Sequence, residues 1–600
     1  VDSKAAGGGP QGEARGAIVH GCVMNGLDSK RGDRFIAWLL GAAALLVSGC
    51  QVAPEQVKTD LDDYVYSAID YHWDETFGIQ AGHRVEEALP MDVHTIQATI
   101  PADGVLTLPH ALALAMANNP LYQIEKDTLY TKALDLRLIE RVTLHPYGPS
   151  PIGGARASYV KDDAVAERDW VGFLGFNQLL GTGGVISADL VMGYADIISG
   201  DVRSGATRVF SAMIDQPLMR GAGREVAMER LTQAERDVLH QIRQFNRFRK
   251  ELVVEVTAMY YDVLEREGNM RHAQQYEQML NTIHERAAAL AEVGIVAVHE
   301  VEEIAQERRN ARDAYLRAKT DYEALLDEYK QVWLGIPPQV EFRLDLNELE
   351  LARTFSTGSL GFSEAEAVET AMSLRLDLAN TADRIVDAER KVRVAANLMG
   401  TGLNLVGTYN HRRTSDGVTT DPWAVDVVLD LPLDRTAEEN EYGMARLLLE
   451  QAKRAHEERR NVVALQVRQA YRKLAEAHDR YQLQTESRDK AQARLDKTQL
   501  LLQYKRAGTR DVLRAAEDVY TARDEALDAT ADFARALMEF YGATEVLQVK
   551  ADGTWYPPGV QEAEADDRSG AVIGGVSAVH GKMNHSDLSA YRVSQGAANP

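Results

Sequence analysis

From Pro432 to Pro557 the chain runs without an internal proline, and no other feature constrains the fold as strongly. Proline breaks a helix interior because it lacks an N–H and its ring clashes with the preceding turn. The stretch reads as a helix from about Thr436 to Arg506, a break at Ala507-Gly508-Thr509, and a return helix to about Tyr541. Apolar residues recur at alternating steps of three and four, the pattern of a coiled-coil seam. On the way out the seam is Val463, Val467, Ala470, Leu474, Ala477 and Tyr481. On the way back it is Val512, Ala515, Val519, Ala522, Ala526, Ala529, Phe533, Ala536 and Phe540. At 1.5 Å per residue, about seventy residues reach roughly 105 Å, longer than an ordinary domain is wide. A hairpin of this length is a wall, a strut or a stave of a tube.

The same stretch occurs a second time. Pro217 to Pro337 is also free of internal proline, with an outgoing seam at Leu231, Ala234, Val238, Phe245, Phe248, Leu252 and Met259. After a break at Val293-Gly294-Ile295 comes a return seam at Val301, Ile304, Ala311, Tyr315, Ala318, Tyr322, Leu325, Tyr329 and Val332. This return helix reads about one heptad longer than the other. Upstream, Ala111, Ala115 and Met116 match Ala367, Ala371 and Met372, and Gln216-Pro217-Leu218 matches Leu431-Pro432-Leu433. Internal duplication at this scale outranks any local motif as evidence about architecture.

Charge and cysteine usage exclude several classes. A formal net charge of -24 over 600 residues argues against nucleic-acid binding, which needs a basic face. The two cysteines, Cys22 and Cys50, form neither a CxxC pair nor a zinc-type pattern with histidine, so no structural metal is expected. His240, His272, His284 and His299 are scattered, and no Walker-type glycine loop occurs. The reading is therefore no enzyme and no cofactor, with any energy source residing in a partner.

Lys30, Arg31 and Arg34 precede an apolar run from Phe35 to Val47, too short to span a bilayer as a helix but suited to a secretory signal. The run ends in Val47-Ser48-Gly49-Cys50, which resembles a bacterial lipobox. That resemblance implies cleavage before Cys50 and acylation (palmitate among the chains) of its thiol, with Gln51 favouring the outer membrane. Translation from Met24 would leave Cys22 out of the product.

The organisation expected is a leader and signal at 1–49, an N-terminal tether at 50–105 and a first repeat at 106–336. A joining segment follows at 337–362, then a second repeat at 363–547 and a disordered tail at 548–600. Each repeat starts with an amphipathic helix; the first runs from Leu106 to about Val142. A β region follows, at about 144–217 and again at 402–432. In the second, Leu403, Leu405 and Tyr409 alternate with Asn404, Val406, Thr408 and Asn410, His411–Pro422 reads as a polar loop, and Trp423, Val425, Val427, Leu429 and Leu431 alternate with Ala424, Asp426, Val428 and Asp430. In the first, Ile186, Ala188, Leu190, Met192 and Tyr194 alternate with Ser187 and Asp189, and Phe210, Ala212 and Ile214 with Ser211 and Asp215. Strands of nine or ten residues with this alternation fit an outer-membrane barrel or a soluble sheet with one wet face. The signal, the flanking long helices and the duplication favour the barrel. Asp189, Asp215, Asp426 and Asp430 are then expected to face a water-filled lumen, since hydrocarbon excludes charge.

Taken together, the order helix, strands, long helix, glycine tip and return helix, duplicated behind a lipobox, resembles the TolC-like outer-membrane efflux protein family in its lipoprotein subtype. The resemblance covers roughly Leu106 to Leu547 and is most specific at the tips, Val293-Gly294-Ile295-Val296-Ala297-Val298 and Tyr504-Lys505-Arg506-Ala507-Gly508-Thr509-Arg510, and at the junction Gln216-Pro217-Leu218-Met219-Arg220-Gly221. It implies a mixed α and β homotrimer: a shared barrel taking four strands from each copy, continuous with a long periplasmic helical barrel. A chain that leaves and re-enters the periplasm crosses an even number of times, so the first β region supplies two or four strands. The spanning pair expected is about 185–194 and 207–216, with Ala155–Tyr159 and Trp170–Gln178 then an extra hairpin.

The implied function is passive export through a trimeric water-filled duct of a tripartite pump or type I secretion system. The duct is lipid-anchored in the bacterial outer membrane and extends into the periplasm. The implied partners are outer-membrane lipid, a periplasmic adaptor and, indirectly, an inner-membrane transporter. The adaptor would meet the tips at Val293, Gly294, Ile295, Ala507, Gly508 and Thr509; the competing reading is that these residues pack only against neighbouring hairpins. Arg510 and Asp511 match the family's constriction residues by type, and Arg514 stands where a second acidic residue is expected. Helix capping, with Thr509 as N-cap and Asp511 in the first turn, explains the same residues. The alternative function is a non-channel coiled-coil periplasmic lipoprotein with a structural or adaptor role, which predicts no membrane barrel.

Overall fold

The computed structural model describes residues 54–74, 77, 80, 82–85, 93–143, 150–161, 166–197, 205–348, 363–415, 417–504, 506–550 and 553–556. The signal segment with Cys50 and Gln51, residues 349–362 of the joining segment, and the tail from 557 lie outside the described residues. Two compact units are present, Val1–Asp63 and Tyr64–Pro600. The described part of the first is the start of helix α1 (Pro54–His72); everything below concerns the second.

The segment expected to be a tether is part of the core. Val65 and Ile69 of α1 and Ile96 of α2 (Val93–Thr99) are buried with Leu106 of β1 (Val105–Leu106) in one apolar cluster. The single helix expected from Leu106 to Val142 is two, α3 (Leu108–Asn118) and α4 (Pro120–Thr143). Pro120 forces the break, holding Asn119 in an extended conformation at φ -61 and ψ 121. The Asn119 Oδ1 accepts hydrogen bonds from the N–H groups of Leu121 and Tyr122 at 2.9 and 3.2 Å, restarting the helix.

Four strands follow: β2 (Ser150–Lys161), β3 (Ala166–Leu179), β4 (Val185–Ile197) and β5 (Gly205–Pro217). The short turn α5 (Arg224–Ala227) leads into α6 (Glu229–Glu292), 64 residues long, and the return helix α7 (Val298–Glu328). The 31 residues of α7 run on into a five-residue π turn, Tyr329–Trp333, so this arm matches the 36-residue return helix of the second half rather than exceeding it. Val332, assigned to the seam by spacing, is exposed, because the π turn shifts the phase of the last turn. In the joining segment, β6 (Arg343–Leu344) pairs in parallel with β1.

The second half opens with α8 (Glu364–Leu374), started by a reciprocal capping box between Ser363 and Glu366, and α9 (Leu376–Leu398). Strand β7 (Gly402–Thr414) reaches into the expected polar loop and pairs there with β8 (Thr419–Thr420), so the true loop is shorter. Strand β9 (Trp423–Asp430) leads to α10 (Thr436–Gln503), 68 residues, and α11 (Thr509–Thr544). Every seam residue assigned to α11 is buried, as are Val463, Val467, Ala470, Leu474 and Ala477 of α10. Alanine fills many of these positions and lets the two backbones approach closely. Past α11, β10 (Gln548–Val549) pairs with β11 (Trp555–Tyr556), so the region assigned to a disordered tail begins with an ordered hairpin.

One sheet runs β2-β3-β4-β5-β7, with β8 and β9 both on the far side of β7. Every pairing in it is antiparallel. Strands β2 and β3 are thus no detached hairpin: they are as long as the pair β4–β5, and β3 pairs with β4 from Leu179 through Glu167. The register also fixes the ends. Ser150, Pro217, Gly402 and Asp430, where the chain enters from or leaves toward helices, all lie at one end of the sheet. The helices therefore attach to one end only.

Candidate functional site

In a strand, alternate side chains point to opposite faces, so the register decides which residues share a surface. Val406 of β7 lies opposite both Asp215 of β5 and Asp426 of β9, and Asp215 lies opposite Val185 of β4. Counting in twos from this row places Asp189, Asp215, Asp426 and Asp430 on one face. Ser187, Ser211, Asn404, Thr408 and Asn410 join them. The other face carries Trp170, Leu174, Ile186, Leu190, Tyr194, Phe210, Ile214, Leu405, Tyr409, Trp423, Val425, Val427 and Leu429.

The aspartates differ in their surroundings. Asp215 accepts a hydrogen bond from Asn404 Nδ2 at 3.0 Å. Asp430 forms an ion pair with Arg220, which follows β5 by three residues, and so ties the end of β9 to the start of the first helical hairpin. Asp426 is exposed beside Val406. Asp189 sits against Gly175 of β3, where an added Cβ would lie 2.1 Å from its Oδ1. The apolar face is uncovered: Trp423 is 75% exposed and Val427 66%. An antiparallel sheet in water normally turns its apolar face to a core. Among the described residues nothing of this chain does that here.

The far ends of the hairpins form the second region. At the first tip, the N–H of Gly294 donates to the Ala291 carbonyl and that of Ile295 to the Leu290 carbonyl, both at 2.9 Å. These two bonds define a Schellman ending, in which the residue after the C-cap is left-handed. Gly294 has φ 73, so glycine is required there. Val293, Ile295 and Val298 project from this turn and are 59–69% exposed. At the second tip the glycine is not needed for its backbone. Gly508 has φ -87, open to any residue, and an added Cβ would meet only Asp511 Oδ2 at 3.6 Å.

Capping at the second tip also differs from expectation. Gly508 occupies the N-cap, Thr509 is buried in the first turn, and Asp511 Oδ2 accepts from the Gly508 N–H at 2.9 Å. That carboxylate is engaged in starting helix α11. Arg510 reaches across to the other hairpin and pairs with Glu303 of α7, with Nε at 2.8 Å and the terminal nitrogen at 2.7 Å. Arg514, one turn on, is exposed.

Sequence reasoning found Arg510 but missed Glu303, because the two are 207 residues apart and meet only where the hairpins pack side by side. It likewise passed over the bond between His272 and Asp524, at 2.7 Å, and the stacking of Tyr276 on Tyr520, at 4.8 Å, which join α6 to α11 further up. Their only sequence signal is a polar or aromatic residue on a seam flank.

No protein-family profile matches the chain, and no curated protein matches its sequence. Solved structures do. The transmembrane channel CusC superposes with a TM-score of 0.53 at 12% identity, covering 73% of this chain and 91% of that one. The outer-membrane channel OprN gives 0.52 at 11% identity, over 80% and 100% of the two chains. The outer-membrane channel MtrE of Neisseria gonorrhoeae, in its open state, gives 0.51 at 14% identity, over 73% and 88%.

Proposed function

We propose that this chain, which has the fold of the TolC-like outer-membrane channels, is the protomer of an outer-membrane exit duct. Three copies close their sheets into a barrel in the bilayer and align their hairpins into a tunnel through the periplasm. Passage is passive. The observation that carries this reading is the uncovered apolar face of a sheet whose other face bears Asp189, Asp215, Asp426 and Asp430, with Asp169 of β3 beside them, and whose helices all leave from one end. A bilayer covers the first face and a water-filled lumen hydrates the second. Met444, Leu447 and Leu448 of α10, each more than half exposed, give the helical part a surface for a neighbouring copy. Lipid anchoring at Cys50 belongs to the same proposal. A coiled-coil lipoprotein without a barrel has no use for the apolar sheet face.

Cysteines substituted one at a time along β9 test the reading in outer-membrane vesicles. A small polar thiol reagent is expected to label position 426 readily and positions 425, 427 and 429 slowly. Equal labelling on both faces would sink the barrel. In the same cells a fatty-acid analogue should label the chain and leave Cys50→Ala unlabelled; labelling of that variant would remove the anchor.

The tips are proposed to carry both the adaptor contact and the gate. The exposed Val293, Ile295 and Val298 offer an apolar contact on a rigid turn. The Arg510–Glu303 pair latches the two hairpins of one copy, and because it is solvent-exposed it is worth only about 0–1 kcal/mol. Such a latch is weak enough for a docking partner to open. Glu303→Gln is therefore expected to raise channel current in planar bilayers while the trimer stays intact, with a similar rise for Arg510→Gln. Unchanged current in both would show that the pair does not gate.

A further inference from the structure

Four strands per copy is what the family resemblance implies, but among the described residues the sheet has six: five of 12–14 residues, and the eight-residue β9, which β8 continues along the same side of β7. We infer that all six, β2, β3, β4, β5, β7 and β9, cross the bilayer, and that three copies therefore close a barrel of eighteen strands. This rests on the outer-membrane reading above and departs from it in the size of the duct.

Length does not separate the first hairpin from the rest. β2 has 12 residues and β3 has 14, against 13 each for β4, β5 and β7. A tilted strand spans the hydrocarbon in about 9–11 residues. Nor does patterning separate it. Trp170, Leu174 and Phe176 of β3 lie on the apolar face set by β9, with Gln178 toward the strand end, and β2 adds the small Gly153, Ala155 and Ala157 to the same face.

The chain also turns between β3 and β4 as barrel strands do. Residues 180–184 form a tight reversal in which the Leu180 N–H donates to the Gly184 carbonyl at 2.7 Å and the Gly183 N–H to the Leu180 carbonyl at 2.9 Å. This turn lies at the helix end of the sheet, where the Gly223 N–H donates to the Thr182 carbonyl at 3.0 Å. The seam between hairpin and pair is built rather than incidental. Gly175 is the one residue that leaves room for Asp189, since a Cβ there would also lie 2.9 Å from the Ala188 carbonyl oxygen.

Two edges remain, β2 on one side and β8–β9 on the other. Hydrocarbon tolerates no unpaired strand edge, so each must meet another strand. The occupant is a second copy of this chain. Six is even, so β2 of one copy runs antiparallel to β9 of the next. Arg156 on one edge and Asp426 on the other are exposed on the same polar face and opposite in charge. Barrel diameter grows roughly in proportion to strand number, and barrels of about 16–18 strands leave an open aqueous channel. The duct accordingly admits bulkier cargo at the outer membrane than a twelve-stranded barrel does.

Single cysteines at Trp170 and Leu174 on the apolar face of the first hairpin, at Asp169 and Arg156 on its polar face, and at Val427 and Asp426 as reference positions decide the matter. A polar thiol reagent is applied to outer-membrane vesicles and read over the background of the chain without an introduced cysteine. The expected result is labelling at 156, 169 and 426, with labelling about tenfold slower at 170, 174 and 427, which face lipid. If 426 and 427 differ as expected but 170 and 174 label as fast as 169, the hairpin lies outside the bilayer and six-strand crossing is overturned. If 426 and 427 do not differ, the outer-membrane reading itself fails and takes the strand count with it. Should Trp170→Cys not reach the membrane, Leu174→Cys carries the same readout.

Discussion

Replacing Gly335 with valine is expected to destabilise the protein by about 3 kcal/mol or more, among the largest effects of any single substitution. Gly335 follows the π turn at the end of the first return arm and has φ 64. An L residue with a side chain pays about 1–2 kcal/mol for that left-handed conformation, and a β-branched one more. Space adds a second penalty. A Cβ would lie 2.4 Å from the Asn118 carbonyl oxygen and 2.8 Å from its carbon. These are backbone atoms at the break between α3 and α4, and Asn119 Nδ2 clamps the same place by donating to the carbonyls of Val332 and Trp333 at 3.2 and 2.9 Å. Neither side can yield without unseating a helix. The midpoint of denaturant unfolding in detergent should fall for alanine and further for valine. An alanine variant that unfolds at the unaltered concentration would refute the account.

The equivalent joint of the second half is built from opposite chemistry, and there the expected loss comes from charge. Glu545, after α11, also has a left-handed φ of 60, and is the only non-glycine residue with positive φ among those described. It is tolerated because its carboxylate is used. Oε2 accepts from the Leu376 N–H at 3.1 Å, at the break between α8 and α9, and Lys250 Nζ donates to its carbonyl at 3.2 Å. Lys250 also lies 4.0 Å from the carboxylate, and Arg247 approaches at 3.5 Å. Both Lys250 and Glu545 are buried. Burial pushes the Glu545 carboxyl up and the Lys250 ammonium down; Lys250 and then Arg247 hold the carboxylate charged, and Glu545 holds the ammonium charged.

Removing one partner from such a pair strands a buried charge, at a cost of about 3–5 kcal/mol. Glu545→Ala and Lys250→Met are each expected to lose that much. The double variant Lys250→Met with Glu545→Ala should lose less than the sum of the two, because removing both partners leaves neither charge without the other. A double-mutant cycle on unfolding midpoints measures the coupling. Additive losses would mean that the two residues stabilise the joint independently.

These two joints mark where sequence reading ended. Hairpin length, tip position and seam residues were legible because a coiled-coil seam is local: each step of three or four residues turns one stripe toward the partner helix, and proline's absence sets the limits. Alternation in β9 and β4 was legible for the same reason, since side-chain direction in a strand depends only on parity. The lipobox is likewise a short contiguous signal, and it lies outside the described residues.

What the tertiary structure decided is non-local. Whether β2 and β3 stand apart or join the sheet depends on which edge β3 meets, and only the Gly175–Asp189 fit and the pairing with β4 settle that. That the four aspartates share a face follows from register between strands about two hundred residues apart, where a slip of one residue would have reversed it. Arg510 has an obvious place at a tip, yet its partner Glu303 exists only because two hairpins lie side by side. The sequence alone determined the staves, since periodicity is written along one helix. Packing alone determined how they are joined, since a contact between distant residues leaves no periodic trace in either.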